Sequence, residues 1–405
     1  MKEQPLKITN CEVCGNQELI DVLDLGLHPM CDDLVEFGSD RVCIEYPILI
    51  SYCKKCNTAH QKFQIPKNEL FPKSYHYRAR FTADVLKGMK TLVDDCRKLF
   101  GDFSNKKVID IGCNDGSLLT FFKKEGAITY GIEPTDAYKD ALSAGHAVFN
   151  EFLTIDTAKK VVNQIGKLDF ITFTNVFAHI EDLKGVILAL KEMMNEGTVI
   201  IIENHYLGAV IERNQFDTFY HEHPRTYSYN SFLFVAESLG LQLLHVEFPS
   251  RYGGNIRVII GNKTIYNKFN NDNTEILKRE RGYFDKLIAM GNQIDHWKVS
   301  MKATIEKSIS QFGKLKGKAF PGRAAILVKL LELDADMISA VYEKPGSMKI
   351  GHYIPGTRIP IKSDLELFET IENEKIILNL AWHIQTEIEK YLRDNNFKGQ
   401  LLNIL

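Results

Sequence analysis

The 405-residue chain lacks an excess of either charge: 50 Lys and Arg stand against 52 Asp and Glu, a formal −2. No basic block interrupts that balance, and neutralising nucleic-acid phosphates requires clustered cations, so a nucleic-acid binder is excluded. Apolar runs of the roughly 20 residues that a membrane helix needs are missing. The opening Met1-Lys-Glu-Gln-Pro5 has no apolar core of a secretory signal. There is also no long disordered-type tract: 44 % hydrophobic and 25 % charged residues describe an ordinary globular protein with material for two or three cores. These absences predict a cytoplasmic protein, a monomer or small homo-oligomer, that touches neither membrane nor nucleic acid and acts on a small molecule.

One further absence bears on the cofactor. The dinucleotide fingerprint Gly-x-Gly-x-x-Gly is not found, because 112–117 reads Gly-Cys-Asn-Asp-Gly-Ser. What is present is Val108-Ile-Asp-Ile-Gly-Cys-Asn-Asp-Gly116, a buried strand running into a glycine-bracketed turn. Gly112 and Gly116 let the loop backbone approach a ligand before the next helix begins. A second apolar run ends at Glu133, whose carboxylate at a strand's C-terminal edge can accept both hydroxyls of a ribose. The Asp-x-Gly-x-x-x-Gly form resembles the first motif of class I S-adenosylmethionine (SAM) methyltransferases. That resemblance makes Asp110, Gly112, Asn114, Gly116 and Glu133 the candidate cofactor residues; the bland alternative is an ordinary strand-to-helix turn.

Eight cysteines in a chain expected to be cytoplasmic read as ligands or buried thiols rather than disulfides. Cys11-x-x-Cys14 and Cys53-x-x-Cys56 are two knuckles that can close a tetrahedral shell on one metal, zinc being the best match. Four thiolates leave no open position, so the metal is expected to be structural. Cys31, Cys43, Cys96 and Cys113 lack ligand spacing and read as buried small apolar residues. Residues 1–75 would hold too little core without this staple. Residues 76–262 open on a helix from about Thr82, then alternate strand-like runs at 107–111, 128–132, 168–173 and 198–202 with helical segments such as 183–194, the pattern of a doubly wound sheet. Residues 263–405 begin with a helical connector, about 273–312. A helix at 324–333 and strands at 337–342 and 376–380 follow, a second and smaller α/β domain.

The most unusual cluster is Phe216-Asp-Thr-Phe-Tyr-His-Glu-His223, just beyond a strand end at Glu203-Asn-His205. It sets four protic side chains in a row from Tyr220 to His223, where a loop at the sheet's C-terminal edge faces the cofactor's reactive end. A histidine is a natural base near pH 7, a neighbouring Glu can tune it, and a Tyr hydroxyl can hydrogen-bond an oxyanion. A polar surface loop and a His-x-His metal pair are the competing readings.

Taken together, the paired knuckles with Asp24-Leu-Gly26, the Ile-Gly-Cys-Asn-Asp-Gly loop, Asn175-Val-Phe-Ala-His179, Tyr220-His-Glu-His223, Gly253-Gly-Asn-Ile-Arg257 and Gly351-His-Tyr-Ile-Pro-Gly-Thr-Arg-Ile-Pro-Ile361 resemble the sugar-nucleotide C-methyltransferases. The resemblance covers nearly the whole chain. It implies a class I methyltransferase sheet between an N-terminal zinc-binding domain and a C-terminal α/β domain. It further implies His223 as the base that removes a proton beside a ketone, with Tyr220, Glu222 and His179 in the same pocket and Asn175 beside the cofactor. Its substrates are nucleotide-diphosphate ketosugars, usually deoxythymidine-linked, for which Tyr75, Tyr77, Arg80, Asn255, Arg257, Arg323 and Lys349 are candidate contacts. The chain departs from the family's Gly-Ala-Pro-Ala-Lys-Gly stretch, carrying Lys318-Ala-Phe-Pro-Gly-Arg-Ala324 instead, and places two arginines in Tyr75-His-Tyr-Arg-Ala-Arg-Phe81. Forked donors there suit a diphosphate or acid group, or make surface ion pairs. His205, His28 and the Trp382-His383 pair read as structural. Two rivals remain: an O-methyltransferase acting on a sugar hydroxyl, and a non-catalytic zinc-stapled module that senses SAM or a nucleotide.

Overall fold

The computed structural model describes residues 4–71, 78–269 and 273–405. At its centre lies a seven-stranded sheet. The four expected runs form Lys107–Ile111, Ile128–Ile132, Leu168–Thr174 and Met194–His205; Ala147–Phe149, Gln242–Glu247 and Asn255–Gly261 complete it. Across the sheet the order is 242–247, 255–261, 194–205, 168–174, 107–111, 128–132, 147–149. Asn255–Gly261 runs antiparallel to both neighbours, and the other pairings are parallel. The first strand in sequence therefore sits mid-sheet, and the winding reverses between 107–111 and 168–174, which is where ligands bind in such sheets.

Continuous apolar runs suit these strands because both faces are covered. The amphipathic helix Ala83–Phe100 packs Val85, Met89, Leu92, Val93 and Cys96 against Val108, Phe170 and Ile201 on one face. Helices Ile155–Ile165, Leu183–Met193 and Tyr229–Leu239 cover the other. Fully burying a side chain such as Leu92 contributes roughly 1.5–3 kcal/mol, so this helix is fastened by packing rather than by propensity.

The N-terminal unit is an antiparallel sheet in the order Arg225–Thr226, Thr58–Gln61, Glu45–Cys53, Ile20–Pro29. Its edge strand is thus supplied by the methyltransferase-like unit, just after His223. Both knuckles close alike: Gly15 N donates to Cys11 O at 2.9 Å and Asn57 N to Cys53 O at 2.8 Å, each from a left-handed residue.

The expected connector is two helices, Thr274–Glu280 and Tyr283–Phe312, and it is less solvent-facing than its polar sequence predicts. Glu280 is fully buried, accepting from Tyr206 Oη at 2.9 Å and from the Tyr229 and Asn230 amides at 2.7 and 2.9 Å. The C-terminal unit is a five-stranded parallel sheet ordered 361–363, 338–343, 315–318, 376–379, 400–403. Its winding reverses between Leu315–Lys318 and Ile376–Asn379, giving a second switch point. The Gly351–Ile361 segment reaches the N-terminal unit: Arg358 donates to Ser39 O at 2.7 Å and Arg41 O at 3.2 Å, and His352–Tyr353 pairs with Val35–Glu36. Among the described residues no helix is long and apolar enough to cross a membrane.

Candidate active site

The cofactor loop leaves Lys107–Ile111 at the first switch point. Gly112 and Gly116 hold φ of 68° and 75°, and Asn114 between them 51°, so three left-handed residues bend the loop back over the strand ends. A Cβ on Gly112 would stand 2.7 Å from Val176 Cγ2, and one on Gly116 2.7 Å from the His146 ring. Glu133 ends the adjacent strand, buried; its Oε2 accepts from Asn114 N at 2.9 Å and its Oε1 from Thr135 N and Oγ1 at 2.8 and 2.6 Å. Oε1 has both lone pairs engaged and Oε2 keeps one, so room for one ribose hydroxyl remains, and a second would have to displace the Thr135 hydroxyl. Asp110 accepts from Thr172 Oγ1 at 2.7 Å, and burial, with the charge of Glu133, pushes its carboxyl up to about 7. Glycine room, a left-handed turn and two acidic strand ends form a set that fits a nucleoside cofactor.

Asn175 closes the neighbouring strand in a left-handed conformation, its amide donating to Glu203 O at 2.7 Å and its Oδ1 accepting from Asn255 Nδ2 at 3.3 Å. The short helix Phe177–His179 follows directly. His179 thereby reaches the other loop, its Nδ1 donating to Glu222 O at 2.7 Å. The ring centroids of His179, His205 and Tyr220 lie 4.8, 5.1 and 4.3 Å from that of His223. His179, Tyr220, Glu222 and His223 are therefore brought together, beside the cofactor loop's strand.

His223 is buried, with Nδ1 donating to Thr218 O at 3.1 Å. A carbonyl only accepts, so the proton of the neutral ring sits on Nδ1 and Nε2 keeps its lone pair. Burial, with His179 and His205 nearby, lowers the His223 pKa well below the ordinary histidine value. His179 is held at about 4, chiefly by burial. Glu222 moves the opposite way: burial and the Asp32 carboxylate raise it well above the usual carboxylate range, which favours its protonated form. Burial and Glu222 likewise keep the Tyr220 hydroxyl protonated. The pocket thus holds an imidazole nitrogen with its lone pair beside the Tyr220 ring, whose hydroxyl stays protonated.

Several expected contacts lie elsewhere. Tyr75 and Tyr77 are outside the described residues. Arg80 is exposed beside the cofactor loop, its amide on Asp115 Oδ2 at 2.8 Å and its guanidinium 3.1 Å from Asp140. Arg257 is corrected from a diphosphate contact to a structural group: it is buried, with Nε on Glu203 at 2.8 Å and Nη1 on Glu247 and Asp95 at 2.8 and 3.2 Å. A cation already shared among three carboxylates has little left for a phosphate. Asn255 is buried beside Asn175, and Lys349 donates to Phe320 O at 2.8 Å.

Arg323 does reach the cluster. Its Nε and Nη2 grip Asp217 at 2.7 and 2.8 Å, its plane lies over Trp382, and its buried Nη1 has no hydrogen-bond partner among the described residues. Trp382 donates to the same Asp217 at 3.0 Å, and burial beside Arg323 depresses His383 to about 3. The packing reading of Trp382, His383 and His205 is therefore incomplete, since all three line the cluster's wall. His28 is structural as expected, buried with Nε2 on Leu25 O at 2.8 Å.

The four knuckle sulfurs lie within 4.8 Å of one another, with Cys11–Cys56 at 3.4 Å and Cys14–Cys53 at 3.6 Å. A zinc tetrathiolate with bonds of about 2.3 Å has sulfur–sulfur edges of about 3.8 Å, so the set fits that ion. Cys31, Cys43, Cys96 and Cys113 are buried free thiols.

Three family profiles tile the chain: a zinc binding domain over residues 11–71, a methyltransferase domain over 81–246 and a C-methyltransferase C-terminal domain over 250–402. The C-methyltransferase NovU of Streptomyces niveus is 24 % identical over 390 residues, covering 94 % of this chain and 91 % of that protein. A ubiquinone biosynthesis O-methyltransferase of Pasteurella multocida is 31 % identical over 109 residues, 24 % of this chain and 45 % of that one. A solved magnesium protoporphyrin IX methyltransferase of Synechocystis, with bound SAM, aligns at a TM-score of 0.33 and 13 % identity over 44 % of this chain and 79 % of that chain.

Proposed function

Since the chain is a SAM-dependent C-methyltransferase with a class I sheet and an N-terminal zinc-binding domain, we propose that it methylates the carbon beside the ketone of a nucleotide-linked ketosugar, with His223 as the base. The observation that carries this reading is the tautomer of His223, whose Nδ1 is engaged by Thr218 O so that Nε2 is the proton acceptor. A C–H next to a carbonyl yields to an imidazole only if negative charge on the oxygen is stabilised as it forms. Tyr220 supplies the O–H donor, with Glu222 in the same loop. His179 is a poorer donor than its position first predicts, because its Nδ1 proton is already given to Glu222 O.

The C–H pair moves into the enolate as the proton goes to His223 Nε2. Bound SAM supplies an electrophilic methyl. The enolate carbon would take that methyl, the S–CH3 pair staying with sulfur. Gly112, Asn114, Gly116, Glu133, Asp110 and Asn175 hold the cofactor in this proposal. The nucleotide-sugar lies between the two switch points, where Arg323 offers Nη1; its charge is largely met by Asp217, which suits a neutral oxygen acceptor as well as a phosphate. Eight cysteines with none in a disulfide, four of them knuckle thiolates, suit a reducing cytoplasm.

The test offers ketosugar nucleotides and their reduced alcohols with SAM in heavy water. Methylation is expected only with the ketone, with the new carbon bond at the position beside it, and His223→Ala should lower turnover on the order of 10²-fold or more while SAM affinity holds. Methylation of the reduced sugar would instead make the protein an O-methyltransferase.

A further inference from the structure

The zinc-binding unit does more than border the site, because it holds the peptide bearing His223 on both sides of the histidine. Arg225 and Thr226 pair with His60 and Ala59 as the edge strand of the knuckle sheet, starting two residues after His223. Gln61 brackets the histidine: its amide donates to Pro224 O at 2.9 Å and its side-chain Nε2 to Tyr220 O at 3.3 Å. His221, between them, donates from Nε2 to Tyr46 O at 3.1 Å. Arg225 is fully buried; its Nη1 lies 2.6 Å from Glu12, inside the first knuckle, while Nη1 and Nη2 reach Glu181 O at 3.3 Å, two residues beyond His179. One guanidinium thus ties a metal-ligand loop to both histidine loops. The second knuckle is fastened likewise: Ser228 and Ser231, which cap helix Tyr229–Leu239, each donate to Cys56 O at 3.3 Å, and Thr58 Oγ1 meets Ser231 Oγ at 2.8 Å.

The cofactor loop shows a different pattern. Gly112, Asp110 and Glu133 bond to Ile132, Thr172 and Thr135, and the Asn114 and Asp115 side chains accept from the Ala79 and Arg80 amides, none of them in the knuckle sheet. Loosening the knuckles should therefore disturb the base and leave the cofactor cradle in place.

We propose that the zinc-closed knuckles are the positioning device for the base, acting through Gln61 and Arg225, so that the metal controls turnover without touching substrate or cofactor. Gln61 and Arg225 are positioning residues. The inference rests on His223 being the base, but its structural half can be read without any acceptor.

The test follows hydrogen exchange, SAM affinity and initial rates of the full-length zinc-loaded protein before and after a zinc chelator. Exchange at 220–226 is expected to rise together with 58–61, SAM affinity to hold, and turnover to fall about 10²-fold, as for a catalytic group displaced by about an ångström, all restored by zinc. Gln61→Leu conserves volume and deletes the Tyr220 tether; it should retain zinc and the melting temperature but lower kcat about tenfold at unchanged KM for SAM. Persistent protection at 220–226 after 58–61 has opened, or wild-type kcat in Gln61→Leu, overturns the proposal. A coupled loop in a protein whose His223→Ala variant still turns over would overturn the base assignment alone.

Discussion

A neutral histidine whose Nδ1 faces a main-chain carbonyl has its tautomer decided for it, and His223 and His179 are both in that position. The consequence for His223 is a question of sign. Burial disfavours the charged ring, the neighbouring His179 and His205 add to the effect, and Arg323 pushes the same way, so the imidazole protonates only below its ordinary 6.5. The base works in its neutral form, and lowering its pKa extends the active range toward acid. The kcat profile should run flat through pH 6.5 and decline only at lower pH, as rates under saturating SAM and acceptor would show. An acid limb centred at or above 6.5 would mean that proton removal belongs to some other group. Glu222 does not reverse this sign, because burial and Asp32 both favour its uncharged form.

Among elements, the Gly112–Gly116 turn is tightly constrained. At Gly112 a side chain meets both a positive φ and the Val176 methyls, and Val176 sits between Asn175 and the His179 helix. Alanine there should strain the turn by about 1–3 kcal/mol and weaken SAM binding by calorimetry, since the loop must retreat from the strand ends it overhangs. Undiminished affinity in Gly112→Ala would show that the cradle has slack the packing does not suggest. This turn was legible in the sequence, as were the strands beside it, because a buried run ending in glycine has few other uses. Both knuckles were legible for the same reason: Cys-x-x-Cys spacing encodes its own geometry. The strand Arg225–Thr226 was not, since two residues have no period and its partner lies more than 160 positions away. Arg257 was misassigned because a sequence shows a cation but not the three carboxylates that fold onto it. His205 and His383 were set aside because a single histidine at the end of an apolar run looks the same whether it lines a pocket or fills one.

At the scale of the whole molecule, two doubly wound sheets contribute their switch points to one cluster, and the 215–226 loop lies between them. The N-terminal unit holds one end of that loop through Gln61 and Arg225, whereas the C-terminal unit holds the other through Asp217. Asp217 accepts both nitrogens of the Arg323 fork and the Trp382 indole, so a single carboxylate balances a buried charge and joins the two units. Removing it leaves Arg323 buried without a counter-charge, which typically costs about 3–5 kcal/mol, whereas replacing both partners by apolar groups costs far less. Asp217→Ala should therefore destabilise the protein strongly in equilibrium denaturation. Adding Arg323→Met should recover much of that loss while turnover stays low, because the loop's tether and the Nη1 donor are then both gone. If the double variant is as unstable as Asp217→Ala alone, the cost lies in Trp382 or in the loop itself. The ion pair would then be a passenger of the interface rather than its fastening.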